Sequence, residues 1–445
     1  MEDSAKKARA AAQALAAVSA EKKNAALVTL KRVLIERRSA IQEANALDRA
    51  DAETALKEGK LSASLLKRLD LSDSKFDSLI AGIDDVITLP DPIGAVTYAN
   101  RVSDGLDLYR VTCPIGVLLI IFEARPEAAV QISTLAIKSG NSLLLKGGKE
   151  ASRSNSALIE AINIACTEVG LPDGCIQAVD SRSGVAELVK MDKYIDLVIP
   201  RGSNELVRSI KDSSRIAVLG HADGICSVYV DEHADLEKAV RVVVDSKTQY
   251  AAACNAMETL LVHEKVVEQF LPLLAKGLEN HEGVRFKADP TCIPHLPANK
   301  TEAATDEDFE EEFLCFTMAV RMVPSADVAI DHINLHGSHH TDVIITEDKV
   351  VAEAFLQRVD SAGVFHNASS RFADGFRFGF GAEVGISTNR VHARGPVGLE
   401  GLVIYKYRLY GDGHTVADFG GKEPKRSFVH ERIPDVHTVD SLGSR

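Results

Sequence analysis

Between residues 115 and 213, short apolar runs alternate with helix-like stretches, and that alternation confines the chain to a narrow set of folds. Residues 115–122 are continuously apolar, 128–138 read as helix, 142–145 as strand and 154–169 as helix. Residues 175–179 and 196–199 continue as buried strands, with helical stretches at 184–191 and 205–213. Strands apolar on both faces belong in a parallel sheet covered by helices on each side, so a doubly wound α/β domain with right-handed crossovers is expected. A second αβ alternation starts after Val228. A chain of 445 residues with 45% hydrophobic content also exceeds what one core usually organises.

Different patterns precede the first strand. The first 60 residues carry Leu15, Val18, Leu27, Leu30, Val33, Leu34 and Ile41 near helical spacing, and a second helical block spans 62–87. Pro90 and Pro92 then stop regular structure. Residues 96–111 alternate around Asp104-Gly105, a short-range hairpin signal that predicts a projecting two-stranded arm. The stretch 420–445 is polar and charged and reads as a flexible or subunit-packing tail.

Charge and cysteine usage narrow the function classes. The formal net charge of −13 disfavours nucleic acid and anionic membrane surfaces while leaving room for a local basic pocket. Seven cysteines without a C-x-x-C pair point to free thiols in a reducing compartment. No apolar run reaches membrane-spanning length and Glu2 and Asp3 argue against a leader, so a cytoplasmic protein is expected. Histidines recur at 332, 336, 339, 340, 366 and 392, yet none forms H-E-x-x-H or H-x-H, and no metal site is expected.

One cysteine is set for chemistry. Cys254 lies among small residues just before the apolar run 259–262, where a carbonyl could approach sulfur, with Asn255 and local backbone N–H groups as oxyanion donors. On residue type alone a small buried hydrophobe is the commoner fate of a free cysteine. Two strand-to-helix turns on the first sheet could receive a nucleotide. Lys146-Gly147-Gly148-Lys149 places two ammonium groups beside backbone that glycine leaves accessible, and the turn with Gly202 and Ser203 opens a helix whose amides could bind a pyrophosphate. Ordinary turns with solvated charge are the alternative for each. Gly379-Phe380-Gly381 through Gly385 imitates a dinucleotide fingerprint, but its spacing is one residue too long and no βαβ unit surrounds it.

Several long motifs carry a family resemblance. The Cys254 segment, residues 146–150, the run 332–342, the run 365–374, and residues 381–388 continuing through 392–402 together resemble the γ-glutamyl phosphate reductase family of the aldehyde dehydrogenase superfamily, over about residues 5–419. The resemblance implies an aldehyde dehydrogenase-like α/β fold: a doubly wound cofactor domain, an α/β catalytic domain and a projecting oligomerisation hairpin. On that basis residues 1–95 and 112–225 would bind NADP, 226–398 would form the catalytic domain, 96–111 and 399–420 the oligomerisation arm, and 421–445 a polar tail.

The resemblance further implies NADPH-dependent reduction of L-glutamyl 5-phosphate to L-glutamate 5-semialdehyde, with phosphate release, through a thioester on Cys254. Lys146 would contact the adenosine ribose, Lys149 a 2′-phosphate, Ser203 the pyrophosphate and Glu312 the nicotinamide ribose. Recognition of the substrate carboxylate and phosphate calls for guanidinium forks, making Arg125, Arg371 and Arg394 candidates, with His339, His340 and Thr341 as phosphate contacts. Structural ion pairs and satisfied histidines are the alternatives. Partners implied are a homo-oligomer and a glutamate 5-kinase. Hydrolytic aldehyde dehydrogenases activate water with a glutamate in a Glu-Leu-Gly-Gly-Lys stretch; Leu219-Gly220-His221-Ala222-Asp223-Gly224 stands there instead. The superfamily's oxyanion asparagine is likewise not evident in residues 122–127. A hydrolytic dehydrogenase and a non-catalytic, kinase-binding subunit are the rival readings.

Overall fold

The computed structural model describes residues 1–61, 63–179 and 182–439. Ser62, which opens the helical block expected over 62–87, and residues 440–445 of the expected tail lie outside the described residues. The chain divides into two compact units, one of Met1–Leu219, Phe380–Gly385 and Val397–Arg445, the other of Gly220–Gly379 and Ile386–Pro396. The break between the units falls after Leu219, the first residue of the L-G-H-A-D-G stretch.

The first unit opens with helices α1 (Glu2–Leu15), α2 (Ala20–Glu36), α3 (Arg38–Lys57), α4 (Ala63–Arg68) and α5 (Asp73–Thr88). A hairpin follows, β1 (Val96–Ser103) and β2 (Leu106–Pro114), closed at Asp104-Gly105 where Gly105 takes φ 71°. Next come β3 (Val117–Phe122), α6 (Glu127–Lys138), β4 (Ser142–Gly147), α7 (Ser152–Val169), β5 (Ile176–Ala178), α8 (Arg182–Leu188), β6 (Leu197–Arg201) and α9 (Asn204–Ser213). These strands form a parallel sheet in the order β5-β4-β3-β6. The chain reverses direction across the sheet beside β3, which marks the carboxyl ends of β3, β4 and β6 as the ligand crevice of such a sheet.

Small residues and carboxylates fit the lead-in helices to this sheet. Ala5, Ala8 and Ala12 share one face of α1 and pack with Val117, Leu119, Ile121 and Leu144. Arg9 reaches Asp196 at 2.8 Å, and the same carboxylate accepts the Val117 N–H at 2.8 Å. Gly116, at φ 133°, makes room for it: a Cβ there would lie 2.1 Å from Asp196 Oδ2. From α3, buried Asp48 accepts the Ser154 N–H at 2.8 Å and its hydroxyl at 2.7 Å, capping α7 with a charge that suits a helix N-terminus.

The second unit contains β7 (Cys226–Val230), α10 (Leu236–Thr248), β8 (Met257–His263), α11 (Val267–Gly277), β9 (Arg285–Ala288), β10 (Thr301–Ala303), β11 (Thr317–Val323), α12 (Ala326–His336), β12 (Thr341–Ile345), α13 (Lys349–Arg358) and β13 (Gly363–His366). Its strands pair in parallel in the order β10-β9-β11-β8-β7-β12-β13. Alternation along the strands builds two cores. Val228, Val230, Leu260, Val262, Val343 and Ile345 pack with Phe270 and Leu274 of α11, whereas Tyr229, Leu261 and Ile344 pack with Ile330 of α12 and Phe355 of α13. Helices thus cover both faces, which is why these strands read as unbroken apolar runs. No helix among the described residues is long and apolar enough to cross a membrane.

Two short strands, β14 (Gly385–Ser387) and β15 (Gly395–Val397), pair with each other. Then β16 (Val403–Tyr410) joins β2 antiparallel, from Val403 opposite Pro114 to Tyr410 opposite Asp107. The tail departs from expectation. Its β17 (Glu431–Arg432) pairs with β1, and Ile433 and Val436 are buried against Ala99, Tyr109 and Val111 of the chain's own hairpin. The polar average of residues 420–445 concealed these two apolar anchors. We expect Ile433→Ala to cost about 2 kcal/mol, the low end for deleting a buried Ile side chain. Urea titration checks this, and an unchanged midpoint would show that the tail is not packed.

Candidate active site

Cys254 lies in the turn between α10 and the start of β8, so it sits at the amino edge of the second sheet, beside the first residues of β7 and β12. It is a free, partly exposed thiol. The 220–225 loop lies directly on its peptide: a Cβ on Gly224 would fall 2.1 Å from the Cys254 carbonyl oxygen and 2.7 Å from its Cα. Only glycine fits there. Gly224 N–H donates to Glu312 Oε1 at 3.0 Å, and Ile225 N–H to Ser338 Oγ at 2.8 Å. The Cys254 carbonyl also accepts from the Cys226 thiol at 3.3 Å. Burial pushes that second thiol well above the ordinary range, so Cys226 stays protonated.

Two imidazoles stand beside the thiol. Ligand atoms of His221, Cys254 and His340 all lie within 4.8 Å of one another, and the two rings meet edge to face at 4.9 Å. His221 Nδ1 is 2.7 Å from the Ile386 carbonyl, which only accepts, so Nδ1 carries the proton and Nε2 the lone pair. His340 is fully buried, with Nδ1 2.9 Å from Thr341 Oγ1 and Nε2 without a hydrogen-bond partner. Reading histidines by their spacing along the chain missed this trio, because it is drawn from three separate segments.

The predicted residues divide into distinct roles by geometry. Asn255 is buried; its side-chain Nδ2 donates to the Ala373 carbonyl at 2.9 Å, and its backbone carbonyl accepts from Ser370 Oγ at 2.6 Å. It therefore ties the cysteine turn to residues 370–373. Arg371, from that turn, is 7% exposed, with Nε donating to Gln249 at 2.9 Å and its guanidinium over the Tyr250 ring. Burial lowers its pKa, Arg377 adds to that, and the opposing attraction of Cys254 places the guanidinium in electrostatic reach of the sulfur. Arg394 instead holds Asp360, at 2.8 Å to the carboxylate and 3.0 Å to the carbonyl, and His339 Nδ1 is 2.7 Å from the same carbonyl. Arg390 joins that carboxylate too. Both Arg394 and His339 thus brace the 360–363 loop.

Beneath the thiol, β8 and β12 carry buried charge. Lys247 and Glu258 form a fully buried ion pair, and Glu258 also accepts the Leu314 N–H at 3.2 Å, two residues from Glu312. Burial pushes the Glu258 carboxyl up to about 7, against the pull of Lys247. Buried Asp342 accepts the Ser227 N–H at 2.7 Å and the Ser361 hydroxyl, and desolvation raises it to about 6.

In the first unit the predicted cofactor residues gather at the carboxyl ends of β3, β4 and β6. Lys149 is exposed and Lys146 half-buried, its ammonium donating to the Gly147 carbonyl. A Cβ on Gly147 or Gly148 would collide with Asn155 or Glu150. Ser203 caps α9 through its hydroxyl, while its N–H donates to Glu123 Oε2 at 2.9 Å. Gly202 admits that carboxylate, since a Cβ there would lie 2.5 Å from it. The helix N-terminus thus receives the chain's own Glu123 carboxylate, which a phosphate would have to displace. Arg125 follows β3 in this unit, next to Glu127, whose Oε2 is buried without a partner and whose carboxyl burial pushes up.

A thiol presented on one parallel sheet, and a second parallel sheet with glycine turns and lysines at its strand ends, describe an α/β protein of two units. The family model described as "Aldehyde dehydrogenase family" matches residues 1–290. The chain is 52% identical to a γ-glutamyl phosphate reductase of Acetivibrio thermocellus, over 94% of this chain and 95% of that one. It is 48% identical to a probable γ-glutamyl phosphate reductase of Schizosaccharomyces pombe, over 97% of each. The crystal structure of γ-glutamyl phosphate reductase from Thermotoga maritima, 40% identical, superposes with a TM-score of 0.88, covering 93% of this chain and 99% of that one. The chain belongs to the aldehyde dehydrogenase family and, within it, to the γ-glutamyl phosphate reductases.

Asp342 offers a test of the buried charge. Its folded pKa, about 6, lies above its unfolded value, so its contribution to stability is complete below about pH 4 and is lost as pH rises through 6. Asparagine can keep both of its contacts. Asp342→Asn should flatten the stability–pH slope between those values in urea titrations, and an unchanged slope would mean that the carboxyl is not desolvated.

Proposed function

We propose that the chain reduces L-glutamyl 5-phosphate to L-glutamate 5-semialdehyde with release of inorganic phosphate, using NADPH and Cys254. The observation that carries this reading is the Cys254 turn: a partly exposed thiol whose backbone is clamped by Gly224 and Asn255 and flanked by two imidazoles and Arg371. An ordinary thiol is only a few per cent thiolate near neutral pH, so the nucleophile needs a proton acceptor. The imidazoles of His221 and His340, with ligand atoms within 4.8 Å of the sulfur, are the groups for that role, and Arg371 stabilises the thiolate.

The thiolate attacks the acyl carbon, and the tetrahedral adduct expels phosphate to leave a thioester on Cys254. Backbone N–H groups of the cysteine turn face the oxyanion, a role for which fixed dipoles suit better than the Asn255 side chain, already engaged with Ala373. A bound nicotinamide supplies hydride. Collapse of the thiohemiacetal breaks the carbon–sulfur bond, returns the thiol and frees the aldehyde. The hydrolytic alternative lacks its water-activating glutamate in the stretch Leu219 to Gly224, where His221 and Gly224 serve the thiol instead.

For the cofactor, the reading rests on Lys146 and Lys149, which bracket Gly147 and Gly148. Lys149 is assigned to a 2′-phosphate and Glu312 to the nicotinamide ribose. The hairpin sheet is assigned to oligomerisation, since its edge strand β16 exposes Ile404, Tyr405, Tyr407 and Leu409. A cytoplasmic location and supply of the labile acyl phosphate by a glutamate 5-kinase complete the reading.

Running the reaction backwards avoids that labile substrate. Glutamate 5-semialdehyde and NADP⁺ should yield NADPH only when inorganic phosphate is added; phosphate-independent turnover would make the protein a hydrolytic dehydrogenase. Cys254→Ser should reduce turnover to background while NADPH still binds, and appreciable residual turnover would remove Cys254 from the mechanism. Lys149→Ala should weaken NADPH on the order of tenfold, the worth of one charge-assisted contact, while sparing NADH. Equal losses for the two cofactors would take Lys149 away from the 2′-phosphate.

A further inference from the structure

We infer that His221, Cys254 and His340 form a binding site for zinc, and that zinc held there switches the enzyme off reversibly. One thiolate and two neutral imidazoles make a ligand set of the borderline-soft kind that zinc prefers, leaving a fourth position for water, as in catalytic zinc sites. The trio's ligand atoms lie within 4.8 Å of one another. Zinc bonds of ~2.0–2.3 Å place tetrahedral ligands about 3.5 Å apart, so closure requires inward shifts of about 1 Å. Cys254 and His221 are both partly exposed and able to make them.

Two features beyond proximity point to a ligand. His340 is fully buried, yet its Nε2 has no hydrogen-bond partner, although buried polar groups are nearly always satisfied. Its other nitrogen is held 2.9 Å from Thr341 Oγ1. His221 is oriented in the manner of a metal ligand as well: its Nδ1–H donates to the Ile386 carbonyl, which fixes the tautomer with the lone pair on Nε2. Both rings therefore have a second contact that sets their direction.

The metal site rests on this geometry alone, whereas the inhibition rests on the reading of Cys254 as nucleophile. Binding would release the thiol proton to solvent and place the sulfur lone pair on the metal, so the acyl carbon could no longer be attacked. No electron transfer is involved, and a chelator restores the thiol.

Zinc binding can be read without turnover. In phosphate-free buffer with a phosphine reductant, competition against a chromogenic chelator should give one zinc per chain. Cobalt in its place should show tetrahedral d–d bands and a thiolate charge-transfer band. Affinity should fall at least about 100-fold in Cys254→Ala and His340→Ala, beyond the usual cost of losing an outer contact, and hold in His339→Ala, whose Nδ1 faces Asp360. His221→Asn, at a partly exposed ligand, repeats the test without opening the core. Stoichiometric zinc should abolish turnover and EDTA restore it. Absence of bound zinc on the wild-type protein, or binding that survives Cys254→Ala and His221→Asn, would overturn the site while leaving the reductase reading intact. A chain that binds zinc through these residues but shows no reductase activity would uphold the site and sink only that reading.

Discussion

The contact on which the site depends is a missing side chain. Gly224 brings the 220–225 loop so close to Cys254 that even a methyl group would overlap its carbonyl oxygen. Through that contact the loop aligns three things at once: His221 beside the sulfur, Gly224 N–H on Glu312, and Ile225 N–H on Ser338. A larger residue would force the loop off the cysteine turn and separate the thiol from the His221 imidazole. Backbone proximity, fixed by the fold, therefore does the positioning that flexible side chains do elsewhere.

Charge is then buried under the thiol at a cost to stability. Lys247 and Glu258 are both withdrawn from water, and Asp342 is held with only N–H and hydroxyl donors around it. Such groups are weak contributors to folding, because desolvation offsets much of what their partners return. What they supply is direction. Asp342 fixes Ser227 at the start of β7, and Glu258 fixes Leu314 near Glu312, so the strand ends that frame Cys254 keep their register. The large apolar cores on both faces of the same sheet offset that cost.

What was legible in the sequence follows the same physics. The strands of both sheets were visible because burial on two faces leaves unbroken apolar runs, and the hairpin because Asp-Gly marks its turn. Cys254 stood out by its small neighbours. Long-range pairings were not legible: nothing local reveals that Arg394 and His339 converge on Asp360, that Asn255 is spent on Ala373, or that Glu123 reaches the amide of Ser203. Glycine was the one available signal for close approach, and Gly224 and Gly202 were each in view without the partner that explains them. The tail misled for a different reason, since two apolar anchors among many charges do not alter an average.

The same demands that make a good acyl acceptor make a metal ligand. A thiol that must lose its proton near neutral pH needs lone pairs nearby, and imidazoles fixed by second contacts provide them. Three such donors facing one small space cannot be distinguished, by a zinc ion, from a site built for zinc. Enzymes that avoid this use one base, or spread the activating charge onto a cation such as Arg371, which repels metals. Here two imidazoles and a guanidinium surround one thiol, and the buried, unpartnered nitrogen of His340 is the part that an arginine-activated thiol does not require.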